Sequence, residues 1–131
     1  MKSLLLALCM ALPTRSATAV TQVTVAAPDA RSPVARYSQK TLLKNWALSV
    51  CLAQVAHSVR DREDANAAAS AYLEFGRQPI EAYDALRALA RRYATRTYGG
   101  SIPASFNMMK CIDLFHSREL DMLADRLAKA R

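Results

Sequence analysis

The feature that most constrains this chain is a pair of cysteines set in two apolar helical stripes. Cys51 belongs to the series Leu43, Trp46, Ala47, Val50, Cys51, Gln54 and Val55, and Cys111 to Met108, Cys111, Ile112 and Phe115. Steps of three and four residues place each series on one side of a helix. Both cysteines are therefore expected to face a core. Whether they bond to each other depends on the compartment, because disulfides persist in oxidising ones.

The first residues address that question. "MKSLLLALCMALPTRSATA" has Lys2 as a charged start, an apolar run from Leu4 to Leu12, then Pro13 and the small residues Ala17 and Ala19. This is the pattern of a cleavable secretory signal, expected over residues 1–19. The apolar run is far shorter than the ~20 residues of a membrane-spanning helix, so no stable membrane anchor is expected. Cys9 leaves with the signal and follows Leu8, where a lipoprotein signal wants a small residue. Cys51 and Cys111 remain as an even pair in an oxidising compartment, and one disulfide is the default. Closing a loop of about 60 residues is worth on the order of 4 kcal/mol in the chain-entropy model.

The exported remainder, about 110 residues, suits one domain with a single modest core. Eighteen Lys and Arg outnumber eleven Asp and Glu, a formal charge of +7, and the signal removes only Lys2 and Arg15. The surplus is spread along the chain, which favours a solvated surface with some attraction for acidic partners. Without interleaved aromatic and basic residues, nucleic acid is a poor partner for it.

Residues 20–37 hold two prolines and no helical period, and read as a flexible tail. From 38 to 131 the period is helical throughout. Ser38 is expected to cap a first helix running to about Arg60. Asp61 or Asp64 would cap a second, rich in alanine and ending at Gly76. Pro79 suits the first turn of a third, whose buried face is Ile80, Tyr83, Leu86, Ala90 and Tyr93. In that helix Glu81 and Asp84 come early, and Arg87, Arg91, Arg92 and Arg96 come late. This order complements the helix dipole and competes with reading the arginines as a phosphate-binding patch. "YGGSIPAS" then interrupts the pattern. Ser105 would cap a fourth helix, and Ser117 a fifth with Leu120, Leu123, Ala124 and Leu127 inward. The fold class is an all-α, single-domain bundle of about five helices with one inter-helix disulfide.

"MMKCIDLFHSREL" concentrates the groups that could do chemistry. On one helix, however, Cys111 and His116 point ~140° apart, which does not make a nucleophile–base pair. His57 could serve Cys111 only through tertiary contact. The two exported cysteines and two histidines lack zinc spacing, so no metal and no cofactor is expected. Glu74 and Glu81 form a carboxylate pair without special meaning, since any chain with eleven acids offers several. A non-enzymatic binding protein fits this profile. The alternatives are a periplasmic cell-wall hydrolase using Glu74 as its acid, and a generic helical adaptor.

The pieces "NWALSVC" (45–51), "DANAAASAYLEFG" (64–76), "IEAY" (80–83) and "MKCIDLFHS" (109–117) come in that order and at that separation. Over residues 41 to about 125 the chain thereby resembles the periplasmic immunity proteins of type VI secretion amidase effectors, amidase family four. The resemblance implies a small helical, usually dimeric protein. It would bind and block a papain-like cysteine amidase that cuts cell-wall peptides and is delivered by neighbouring cells or kin. It carries over Cys51 and Cys111 as the disulfide pair. It also carries over Tyr72, Glu74, Gly76, Asp113, His116 and Ser117 as structural motif residues, the last three being expected to hydrogen-bond at a helix junction.

An inhibitor of a cleft enzyme must fill the cleft or cover its mouth. The segment expected to protrude is residues 99–105, where Gly99 and Gly100 would permit unusual backbone angles and Pro103 would stiffen the tip. Ile102 would be an apolar plug, with Ser101 beside it and Ser105 closing the loop. The competing surface is the Arg87 and Arg91 face, which would steer an acidic amidase. A plain connector between helices is the bland reading of the loop.

Overall fold

The computed structural model describes residues 32–130. The expected signal, and all of the expected tail before Ser32, lie outside the described residues. Five α-helices make up the domain: α1 Gln39–Val55, α2 Val59–Glu74, α3 Ile80–Ala94, α4 Asn107–His116 and α5 Arg118–Lys129. No strand occurs among the described residues, so the fold is the all-α bundle that the periodicity indicates. Pro33–Arg36, inside the expected tail, forms a 3-10 turn in which the Ser32 hydroxyl accepts from the Val34 amide and the Ser32 carbonyl from the Ala35 amide.

α1 is the hub and touches the other four helices. That position explains why its buried surface is wider than one stripe. Leu42, Leu43, Trp46, Ala47, Ser49, Cys51 and Ala53 are all buried, whereas Gln54 is exposed and Val50 only half-buried. Ser49 is tolerated inside because its hydroxyl donates to the Asn45 carbonyl at 3.0 Å. The core continues through Tyr83, Leu86, Leu89, Ala90 and Tyr93 of α3, Leu114 of α4, and Leu120 and Ala124 of α5. Trp46 meets Tyr83 edge to face, with ring centroids 4.9 Å apart. Ile80, expected on that face, is exposed.

Cys51 and Cys111 are bonded, with Sγ atoms 2.05 Å apart, and both are fully buried. The bridge ties the C-terminal part of α1 to the middle of α4. At the other edge of the bundle, Lys40 and Lys44 of α1 reach Asp121 of α5 at 2.9 and 3.2 Å, and Lys40 also reaches Asp125 at 3.2 Å. The Asp121 carboxyl is held below its usual range by these hydrogen bonds, Lys40 first.

Four local expectations are corrected. α1 stops at Val55, not near Arg60, and Ser58 rather than Asp61 or Asp64 caps α2, its hydroxyl accepting from the Asp61 amide at 3.0 Å. The early stop is supported from outside the helix: Asn107 of α4 donates to the Val55 carbonyl, one of the C-terminal orphans of α1. Ser105 does not cap α4. The cap position is Phe106, which stands in the left-handed region at φ 52° and makes no side-chain cap bond. The inner face of α4 is Lys110, Cys111 and Leu114, so Met108 (65% exposed) and Ile112 (53%) face outward and Phe115 is half-buried. Lys110 fits this face because its stem is apolar and its ammonium donates to Asn107 Oδ1 at 3.0 Å.

The remaining motif residues have plain structural tasks. Tyr72 packs against the core, and Glu74 ends α2 exposed. Gly76 has no left-handed backbone; what it supplies is space, since a Cβ there would lie 2.1 Å from the Tyr83 hydroxyl oxygen. Ser117 caps α5 by accepting from the Leu120 amide at 3.1 Å and donates to the Leu114 carbonyl at 2.7 Å, which makes it the hinge between α4 and α5.

Candidate functional site

Between α3 and α4 the chain runs from Thr95 to Phe106 without regular structure. This long connection stays on the surface but is tied at its ends. At its start, the Arg96 guanidinium lies over the Tyr93 ring, 3.4 Å from the centroid. Next, Tyr98 Oη donates to Asp113 Oδ2 at 2.5 Å, across to the outer side of α4. That hydrogen bond is the main reason the Tyr98 phenol is pushed above its ordinary pKa, and Arg96 opposes it. Asp113 thus serves the loop rather than the helix junction expected for it. At the far end, Gly100 lies against the Phe106 ring: a Cβ there would be 2.7 Å from Cζ. Neither Gly99 nor Gly100 has a positive φ, so the expected unusual angles are absent and the unusual residue is Phe106.

These contacts leave residues 101–105 as the tip. Ser101, Ile102, Pro103 and Ser105 are all exposed, Ile102 at 62%. Beside the tip, Met108, Met109 and Ile112 present an apolar outer face on α4. A groove of about 630 Å³ adjoins it, with Leu52, Val55, Ala68, Phe106 and Met109 among its walls and Asp61 and Asp64 on its rim. This groove had no signal in the sequence, because its walls come from α1, α2 and the start of α4.

The arginine surface is less available than its composition implies. Arg87 is bonded to Asp84 at 2.6 Å and lies 5.4 Å from the Trp46 ring centroid. Arg92 is paired with Glu119. Arg91 is exposed in the last turn of α3, one turn on from Arg87.

The groups considered for catalysis are not assembled into a centre. Cys111 has no thiol to ionise, being bonded to Cys51. His116 is exposed, with its ring edge to face with Phe115 at 5.4 Å. His57 lies on the short link between α1 and α2, 3.3 Å from Asn107 Nδ2. Among the described residues no cluster of three metal-binding side chains occurs.

A small disulfide-tied bundle with a pinned surface loop, flanked by exposed apolar side chains, has the build of a protein that acts by binding another protein. The chain belongs to the type VI secretion system amidase immunity proteins, the Tai4 family, whose sequence model matches residues 41–124. A chain of the Tae4/Tai4 effector–immunity system from Salmonella typhimurium is 49% identical, with 73% of this chain and 95% of that one covered and a TM-score of 0.69. A chain among the type VI-secreted toxins and self-resistance proteins of Serratia marcescens is 30% identical, covering 77% and 86% with a TM-score of 0.69. One from the Tae4–Tai4 effector–immunity complex of Enterobacter cloacae is 26% identical, covering 71% and 95% with a TM-score of 0.63. No curated protein matches the chain in sequence. As a member of an immunity family, the chain is an inhibitor of an enzyme and not itself the enzyme.

Proposed function

We propose that this protein is exported to the periplasm, binds a cognate type VI peptidoglycan amidase there, and blocks its catalytic cleft with the loop between α3 and α4. The observation that carries the loop assignment is the tip itself. Ile102 stands 62% exposed on a segment whose two ends are tied to the body of the domain. An aliphatic side chain held out in this way can enter a groove at little ordering cost. The Ser101 hydroxyl beside it can hydrogen-bond a catalytic cysteine or histidine of the target. Pro103 limits the backbone freedom of the tip, and Ser105 is exposed where the loop returns to α4.

Export rests on the N-terminal pattern of Lys2, the run to Leu12 and the site at Ala17 and Ala19, together with a disulfide suited to an oxidising compartment. Among the described residues no helix is long and apolar enough to cross a membrane. Homodimer formation would cover part of the apolar outer face of α4, and Met108, Met109 and Ile112 favour it. The Arg91 side of α3 contributes steering in this reading rather than contact, because Arg87 and Arg92 are already paired.

The test is an inhibition assay on purified peptidoglycan. One equivalent of the exported protein is expected to stop release of peptide products by its cognate amidase. The protein alone is expected to release none. Undiminished cleavage in the presence of excess protein would sink the proposal. Release by the protein alone, abolished in Glu74→Gln, would support the hydrolase alternative.

A further inference from the structure

We infer that Tyr98 and Asp113 form a clasp that positions the inhibitory tip, and that they act on the amidase only through the order they impose on residues 99–105. The inference rests on the loop reading above and adds residues to it.

The connection from Thr95 to Phe106 is long for a helix–helix link, and an untethered segment of that length samples many conformations. Two closures subdivide it. Tyr98 is joined to Asp113, which lies on α4 two residues beyond the disulfide cysteine Cys111, so the anchor point is fixed to α1. Gly100 rests on the Phe106 ring, which the left-handed backbone of Phe106 turns toward it. Only residues 101–105 lie outside these closures, and they include every tip residue assigned to the target. A plain connector has no need of a side-chain bond between its fourth residue and the next helix.

Tyr98 and Asp113 are distinct from the residues that hold the fold. Asp113 is exposed, Tyr98 is only half-buried, and neither belongs to the core cluster. Loss of their bond is therefore expected to leave melting nearly unchanged and to appear as loop disorder. A binder whose recognition loop must be ordered on contact binds more weakly than one whose loop is ordered beforehand.

The experiment uses the exported full protein, with Tyr98→Phe, Asp113→Ala, the double variant, and Ile102→Asp as the control for the loop reading. Backbone NMR order parameters of residues 99–105 in the free protein are read together with amidase inhibition, because no amide of that segment donates a hydrogen bond that exchange could follow. Tyr98→Phe keeps the ring and removes only the donor. It is expected to lower the order parameters of that segment from the rigid towards the flexible range and to weaken inhibition roughly tenfold, as loss of preorganisation would. Asp113→Ala should do the same, and the double variant no more than either single one, because both remove one bond. Asp113→Asn, which keeps an acceptor, should restore most of both readouts. Unchanged order parameters in Tyr98→Phe, additive losses in the double variant, or lower order with undiminished inhibition would each overturn the clasp. If Ile102→Asp inhibits as well as the wild type, the loop reading itself fails and the clasp's role in inhibition fails with it. If Ile102→Asp is impaired while Tyr98→Phe is not, only the clasp fails.

Discussion

The α1-centred core and the segment from Thr95 to Ile112 follow opposite rules. In the core, Leu43, Ala47, Leu86, Ala90 and Leu120 are completely buried, α1, α2 and α5 are capped by serine hydroxyls while α3 starts at Pro79, and charges at the α1–α5 edge are paired. In the segment, Ile102, Met108, Met109 and Ile112 are exposed, α4 begins without a side-chain cap, and Phe106 adopts a backbone that non-glycine residues avoid. Exposed aliphatic groups do nothing for the stability of a monomer. Their presence on a segment pinned to a rigid body is what a binding surface requires. In the proposed reading, stability and recognition are housed separately in a small domain, and the Cys51–Cys111 bond is the covalent joint between them.

The sharpest way to break the comparison is to cut that joint. Cys51→Ser is expected to cost on the order of 4 kcal/mol by the chain-entropy model, seen as a large fall in melting temperature with helical content retained in the cold. A variant melting within a few degrees of the wild type would show that α4 is held by packing alone.

Gly76→Ala tests the core side by overfilling it. A Cβ at 2.1 Å from the Tyr83 hydroxyl forces the ring that packs on Trp46 to move. The expected cost is about 1–3 kcal/mol in denaturant unfolding. Inhibition by the folded fraction should be unchanged.

Ser117→Ala removes the cap of α5 and should lower stability by about 1 kcal/mol in the same assay. The smallest effect concerns acid. Asp121 has a depressed carboxyl pKa in the folded state, so its contribution is present above the unfolded-state carboxylate range and is lost as pH falls through the folded value. The pair is solvent-exposed and screened, so Asp121→Asn should flatten the acid limb of the stability curve only slightly. A large flattening would mean that the α1–α5 edge belongs to the core after all.

Most of the core was legible in the sequence, because α1, α3 and α5 write their inner faces at three- and four-residue steps and Cys51 and Cys111 fall in such stripes. What could not be read was set by contacts distant in the chain. The stop of α1 at Val55 depends on Asn107, 52 residues on. The face of α4 was misjudged because Met108 and Ile112 fit the period about Cys111 as well as Lys110 and Leu114 do, and it is packing against α1, α3 and α5 that turns the latter pair inward. The loop was recognised from Gly99, Gly100 and Pro103, but its backbone was not. Gly100 is there for room against Phe106, and the Tyr98–Asp113 bond joins residues 15 apart that no pattern links.

The measurement that bears most directly on the division between the two regions is a titration of the cognate amidase with Ile102→Asp, at low and at high salt, beside a melt of the same variant. The melt should coincide with the wild type, since the side chain touches no core residue. Binding should weaken by roughly 2 kcal/mol or more at both salt concentrations, as expected for a central apolar anchor. Wild-type inhibition by Ile102→Asp, with association that falls steeply as salt is added, would place recognition on the arginine face of α3 and contradict the account.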